Sequence, residues 1–330
     1  MEGFKALLVE QDAGKVRSRF TEYTVDALDA GEVLIRVAYS GINYKDALAA
    51  TGAGKIIRRF PCIAGIDLAG YVEQSASPRF RPGDAVIATS FDIGVSHHGG
   101  YAEYARIPAG WVVPLPRGME LLQSMALGTA GFTAALAVER MEQVGLQPDK
   151  GPVIVSGATG GVGSIAVDML ASRGYHVVAL TGKAQETPYL QMLGAAEVKL
   201  RSSIDLSRVR PLESATWAGA VDNVGGEILA WMAATMKQAG TIASIGLAAS
   251  HELHTTVMPF ILRGVSLLGV DSGYWPMPAR QRLWERMAAD LRPRHLGDIT
   301  RVIEFDALPG VFQEYLDGKV RGRTVVRMAA

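Results

Sequence analysis

Apolar and polar positions change rhythm near Leu121. Before it, the short runs Lys5 to Glu10, Glu32 to Ser40, Leu68 to Glu73, Ala85 to Thr89 and Tyr101 to Ile107 are separated by Gly, Pro and Asp, the pattern of a β-rich unit. Pro82-Gly83-Asp84 marks the turn before one of them. After it, stretches of helical period alternate with buried apolar runs at 152–155, 176–180, 197–200, 218–222, 240–245 and 265–270. Six such strands predict an α/β unit with a doubly wound parallel sheet. The tail from Pro276 carries a helix near Arg280 to Leu291 and a last strand at Arg323 to Met328. The expected division is 1–124 for the β-rich domain, 125–270 for the doubly wound domain and 271–330 for a return to the first, so the second is inserted in the middle.

The most informative stretch runs from 152 to 183. Val153 to Val155 predict a buried parallel strand, and the helix after it has an apolar stripe at Val162, Ile165, Ala166, Met169 and Leu170 before Gly174 caps it. Between them lies Ser156-Gly157-Ala158-Thr159-Gly160-Gly161-Val162-Gly163. Glycines there let the backbone turn sharply and approach a pyrophosphate, whose charge is met by free N–H groups and the positive end of the helix. A glycine pattern alone also suits an ordinary strand-to-helix turn. The following strand at 176–180, at the spacing of a βαβ unit, favours dinucleotide binding.

Where that strand ends, NAD-binding proteins usually place an acidic side chain about 20 residues past the glycines. This chain has Thr181-Gly182-Lys183. A lysine beside a hydroxyl suits a 2′-phosphate and gives NADH no carboxylate partner, so the expected cofactor is NADPH; the competing reading makes Lys183 a solvated surface charge.

The totals narrow the function classes. The 330 residues suffice for two cores, and Lys plus Arg and Asp plus Glu both number 33, so no net charge draws the chain to nucleic acid or to a membrane surface. The first residues lack a basic segment followed by an apolar one. The longest apolar run, Met125 to Val138, is shorter than the ~18 residues of a span and is interrupted by Gly128, Thr129, Gly131 and Thr133. A cytoplasmic protein is expected. Cys62 is the only cysteine, which excludes an internal disulfide and a multi-cysteine zinc lobe. Neither Gly-x-Ser-x-Gly nor Gly-Lys followed by Ser or Thr occurs, so hydrolase and P-loop readings lack their motifs.

Pro82 to Val86, Gly99 to Tyr104, Ala158 to Gly163 and Val221-Asp222-Asn223-Val224-Gly225-Gly226 stand in the order found in medium-chain dehydrogenases and reductases, which the chain resembles over nearly its whole length. Ala158, where the commonest fingerprint has its first glycine, matches that superfamily's variant. Asn43 to Ala47, Gly65 to Gly70, Gly128 to Ala134 and Thr255 to Arg263 look like its zinc-free acrylyl-CoA reductase branch, which is quinone oxidoreductase-like. The resemblance implies a GroES-like catalytic domain beside a Rossmann domain, and reduction of acryloyl-CoA to propanoyl-CoA by NADPH. It implies cofactor contacts at Tyr44, Thr159, Gly160, Gly161, Val162, Thr181, Gly182, Lys183, Arg201, Leu247, Ile261 and Ser272. Relatives of this kind dimerise through the Rossmann sheet edge, so a homodimer through the strand at Val265 to Val270 is expected.

Zinc-dependent members of the superfamily carry a Cys and a Gly-His-Glu where this chain has Ser40-Gly41-Ile42-Asn43-Tyr44 and Gly65-Ile66-Asp67, so no metal is expected. His97 and His98 are adjacent and diverge on an extended segment, which makes them loop residues rather than ligands. Tyr44 is the first choice for a place beside the nicotinamide, with Asn43 and Asp67 shaping the pocket. Asp67 has an alternative role holding backbone amides, and Arg323 either faces the cleft or braces the last strand. Arg201, which follows the third Rossmann strand, is either a second cation on the 2′-phosphate or an exposed loop arginine, and Leu247 and Ile261 rest on the resemblance alone. Lys55, Arg58 and Arg59 are a solvated charge run or a guide for the phosphates of coenzyme A. Two other readings remain: a reductase of quinones or other enones, and a non-catalytic NADPH-binding sensor.

Overall fold

The change of rhythm near Leu121 becomes a change of architecture in the computed structural model, which describes residues 3–328. The chain forms two compact units. One contains the chain up to Thr129, Gly273–Ala288 and the segment from Leu296 onward; the other contains Ala130–Ser272 and Ala289–His295.

The first unit is built on a seven-stranded sheet. Its order is Thr300–Glu304, Arg323–Arg327, Val33–Ile42, Asp67–Ser75, Ala85–Thr89 and Val112–Pro114, with Tyr104–Ile107 also pairing Val33–Ile42. A smaller sheet sets Phe4–Asp12 between Lys15–Tyr23 and Cys62–Ile63. Inward residues Leu7, Val9, Val33, Ile35, Val37, Leu68, Val72 and Val86 join Phe305, Leu308 and Phe312 of the tail in one core. Lys15–Tyr23 is a strand that the apolar pattern does not reveal, because its residues are polar or partly exposed. It is set by the two-residue turn Ala13-Gly14, whose φ values of +47° and +81° match the twist of a hairpin.

The second unit is a six-stranded parallel sheet in the order Glu197–Leu200, Val177–Thr181, Val153–Val155, Trp217–Asp222, Met236–Ser244 and Ser266–Gly269. Each run expected from the apolar pattern becomes one of these strands. The order reverses direction between Val153–Val155 and Trp217–Asp222, the switch point at whose carboxyl edge open α/β sheets bind ligands. The helix Gly161–Ser172 buries Ile165, Ala166, Met169 and Leu170, as its stripe requires.

The helical segment Leu121–Gln143 is broken at Gly128, with φ +51° and ψ −153°. By length and hydropathy it is able to cross a membrane, yet 83% of its apolar window is buried inside the protein.

Candidate active site

In the first unit the side chains Asn43, Asp46, Asp67, Thr129 and Arg323 form one hydrogen-bonded cluster. Its centre is Asp67, which is fully buried. One carboxylate oxygen accepts the Thr129 hydroxyl at 2.5 Å; the other accepts the Thr129 backbone N–H and the Asn43 side-chain amide, both at 2.9 Å. The Arg323 guanidinium lies 3.9 Å from that second oxygen and donates to the carbonyls of Ala126 at 3.0 Å and Ile42 at 2.9 Å and to Asn43 Oδ1 at 3.0 Å. Arg323 is 2% exposed. It therefore braces the last strand and the Asn43 loop, and Asp67 holds Thr129 and Asn43.

Glycines make that cluster possible. A Cβ on Gly128 would lie 2.6 Å from Asp67 Oδ2 and 2.8 Å from an Arg323 nitrogen, and one on Gly41 would lie 3.0 Å from the same nitrogen. The backbone comes this close only where there is no side chain.

Asn43 caps the helix Tyr44–Thr51 through a capping box with Asp46. Asp46 accepts the Asn43 backbone N–H at 2.8 Å and its side-chain amide at 3.2 Å, and its other oxygen accepts the Ile66 N–H at 3.0 Å. Burial, with the nearby Asp67 carboxylate second, pushes the Asp46 carboxyl up to about 7 against the pull of those N–H donors. The box aims the first residue of the helix, Tyr44, outward: it is 51% exposed, a conspicuous position for a large aromatic ring. The sequence shows Asp46 and Thr129 only inside the runs Asn43 to Ala47 and Gly128 to Ala134, with no role assigned to either. Asp46 stands at the third position of a helix whose cap is Asn43, which is the signal a capping box offers.

The second unit presents a dinucleotide cradle at the carboxyl edge of its sheet. Gly157 turns at φ +57°, and a Cβ on Gly163 would sit 2.3 Å from the Gly157 carbonyl oxygen, so loop and helix touch backbone to backbone. The first intrahelical bond runs from Ser164 N–H to the Gly160 carbonyl at 2.9 Å, which leaves the N–H groups of 161–163 for an anion. Gly160, Gly161 and Val162 form that first turn, and Thr159 is buried beneath it.

Thr181 ends the neighbouring strand, buried, and its hydroxyl accepts the Lys183 N–H at 3.0 Å. Thr181 pairs in register with Leu200, so Gly182 and Lys183 leave the sheet beside Arg201, which opens an exposed turn. The two cations thus flank one corner. Leu247 and Ile261 are exposed at 67% and 71%, away from any core, and Ser272 shares a 2.7 Å hydrogen bond with Thr133. The glycine turn, the free helix N-terminus, the buried hydroxyl and the cationic corner fit a phosphorylated dinucleotide.

Arg59 pairs with Asp29 and donates to the Ser96 carbonyl at 2.9 Å, and Arg58 lies 3.8 Å from Asp92; Lys55 is exposed. His98 is buried, with Nδ1 accepting the Ile63 N–H at 3.1 Å and Nε2 meeting the Tyr23 hydroxyl at 2.9 Å. No cluster of three His, Cys, Asp or Glu side chains able to hold a metal is present among the described residues.

Two family models match: an alcohol dehydrogenase GroES-like domain over residues 29–117, and a zinc-binding dehydrogenase over 161–289. Among similar proteins is the acrylyl-CoA reductase AcuI of Ruegeria pomeroyi, 46% identical over 99% of this chain and 100% of the relative. The Bacillus subtilis protein named "Putative quinone oxidoreductase YhfP" is 49% identical over 98% of this chain and 99% of its own; its structure with NAD bound superposes with a TM-score of 0.96 over 99% of this chain and 100% of the other. The yhdH oxidoreductase of Salmonella enterica, in complex with NADP, superposes with a TM-score of 0.96 at 43% identity over 98% of this chain and 100% of that one. The chain belongs to the medium-chain dehydrogenase/reductase family, in its acrylyl-CoA reductase and quinone oxidoreductase-like branch.

Proposed function

We propose that this protein reduces the C=C bond of acryloyl-CoA to give propanoyl-CoA, with NADPH as the reductant. The observation that carries the reading is 46% identity to an acrylyl-CoA reductase across the full length of both chains, joined to a cradle built for a phosphorylated dinucleotide. When bound, NADPH supplies the hydride that reaches the β-carbon of the unsaturated thioester. The chain's residues do the rest. The N–H groups of 161–163 hold the pyrophosphate, while Thr181, Lys183 and Arg201 take the adenosine 2′-phosphate. Leu247 and Ile261 offer apolar wall.

Reduction at the β-carbon sends an electron pair to the thioester oxygen, and the resulting enolate takes a proton from solvent at its α-carbon to give propanoyl-CoA. Until then that oxygen needs donors; each well-placed one contributes about 3 kcal/mol in a water-poor site. The exposed Tyr44 hydroxyl is the donor we assign, held in place by the Asn43 cap. Asn43, Asp46, Asp67 and Arg323 act as positioning residues, because their polar atoms are spent on one another and on the backbone.

A second reading, reduction of quinones or other enones, is favoured by the name of the Bacillus relative, and the NAD in that relative makes the 2′-phosphate contact a point to test in this chain. A further alternative is an NADPH-binding sensor. NADPH oxidation followed separately with acryloyl-CoA, crotonyl-CoA and a quinone sorts them: fastest turnover of acryloyl-CoA supports the first, preference for the quinone the second, and none with any acceptor the sensor.

Two further features belong to the same reading. The strand Ser266–Gly269 is at the end of the Rossmann sheet order, with Leu267 partly exposed, and we infer that two copies pair there as a homodimer. We also infer that the enzyme works in the cytoplasm, where both NADPH and coenzyme A thioesters are at hand.

A further inference from the structure

We infer that Asn223 binds the nicotinamide riboside half of the cofactor, through its side-chain oxygen, as an acceptor for a ribose hydroxyl or the carboxamide NH₂. The inference rests on the NADPH reading above and gives a role to a residue that the sequence shows only as part of the run Val221 to Gly226.

Asn223 follows the strand Trp217–Asp222 at the switch point of the sheet, directly across from the glycine turn that follows Val153–Val155. Its Cβ would lie 3.3 Å from a Cβ on Gly157, and a Cβ on Gly246, in the turn after the next strand, would lie 2.4 Å from the Asn223 carbonyl oxygen. Three strand ends therefore meet at this residue.

Its orientation is fixed. Asn223 Nδ2 donates to the Ser156 carbonyl at 2.7 Å, and a carbonyl can only accept, so the remaining amide atom is the oxygen. The backbone is pinned as well. Asn223 N–H donates to the Ser156 hydroxyl oxygen at 2.9 Å; that hydroxyl donates to Asp222 at 2.7 Å, and Asp222 also accepts the N–H groups of Val224 at 3.2 Å and Gly225 at 2.8 Å. Asn223 Oδ1 is left buried with no hydrogen-bond partner among the described residues. A buried acceptor without a donor is costly, and one held rigidly at a binding edge is preorganised for a ligand donor.

The sheet order says which donor. The strand Val177–Thr181, leading to Lys183, lies on one side of Val153–Val155, and Trp217–Asp222 lies on the other. With the pyrophosphate at the helix N-terminus between them, the adenosine half runs toward Lys183 and the nicotinamide half toward Asn223. An acceptor oxygen repels phosphate and matches hydroxyl or amide donors, which that half carries.

The test uses the whole protein, with NADPH and adenosine 2′,5′-bisphosphate, a fragment that carries only the adenosine half, as calorimetric ligands. Asn223→Ala raises the Kd for NADPH about tenfold and leaves that for the bisphosphate unchanged. Equal weakening of both overturns the inference, since it marks a collapsed glycine turn, and so does no change in either. Failure of the unaltered protein to bind NADPH removes the cofactor reading itself, and the inference with it. Should Asn223→Ala not fold, a crystal structure of the unaltered protein with NADPH decides: a nicotinamide riboside donor within hydrogen-bond distance of Oδ1 supports the assignment, and water alone at that atom overturns it.

Discussion

Asp67 grips Thr129 twice, taking its hydroxyl at 2.5 Å and its backbone N–H at 2.9 Å, immediately after the residue where the helical segment Leu121–Gln143 breaks. The break needs a donor-rich turn against a carboxylate and a residue free to adopt φ +51°, and Gly128 supplies the second. Gly128→Ala would meet Asp67 and Arg323 at under 3 Å and adopt a disfavoured backbone conformation. It is expected to cost about 3 kcal/mol of stability, measured by urea unfolding. An unchanged midpoint would show that the break relaxes freely.

Removing the carboxylate should be as severe. Asp67→Ala leaves Arg323 buried without its negative partner and strips acceptors from Asn43 and Thr129, so a loss of about 3 to 5 kcal/mol is expected from the same measurement. Asp67→Asn keeps one acceptor and should lose less. A neutral effect of Asp67→Ala would mean that Arg323 is satisfied by carbonyls alone.

The buried Asp46 carboxyl gives the fold a pH signature. Its folded value is raised from 3.8 to about 7, so the folded state holds this proton more tightly than the unfolded chain does. That contribution is fully present below pH ~4 and is lost as pH rises toward about 7. Unfolding free energy followed across this window should fall more steeply with pH in the unaltered protein than in Asp46→Ala. Parallel curves would contradict it.

On the proposed reading, coenzyme choice turns on the corner at Thr181 to Lys183. Lys183→Ala is expected to raise the KM for NADPH by about tenfold or more while leaving that for NADH nearly unchanged, because only the first carries the 2′-phosphate. Equal effects on both would remove Lys183 from the phosphate.

Much of this was legible in the chain because the physics is local. Val153–Val155, the glycine turn and the stripe from Ile165 to Leu170 each declare themselves by spacing, and the six Rossmann strands follow from apolar runs of the right length. The hairpin partner Lys15–Tyr23 was not, since its residues are polar or partly exposed and only the Ala13-Gly14 turn marks it. The catalytic-unit cluster was half visible: Asn43, Asp67 and Arg323 were singled out, but Asp67 and Arg323 lie 256 positions apart, and their mutual role appears only when the last strand pairs beside Val33–Ile42. Asn223 stands in the run Val221 to Gly226, yet nothing in that run reveals that one of its amide atoms is buried and unpaired among the described residues.

The most direct test follows an isotope. NADPH deuterated at the transferable position of its nicotinamide ring, incubated with acryloyl-CoA and this protein, should yield propanoyl-CoA carrying one deuterium on the β-carbon. Propanoyl-CoA formed without that label, or label found only in a reduced quinone while acryloyl-CoA stays intact, would contradict the assignment.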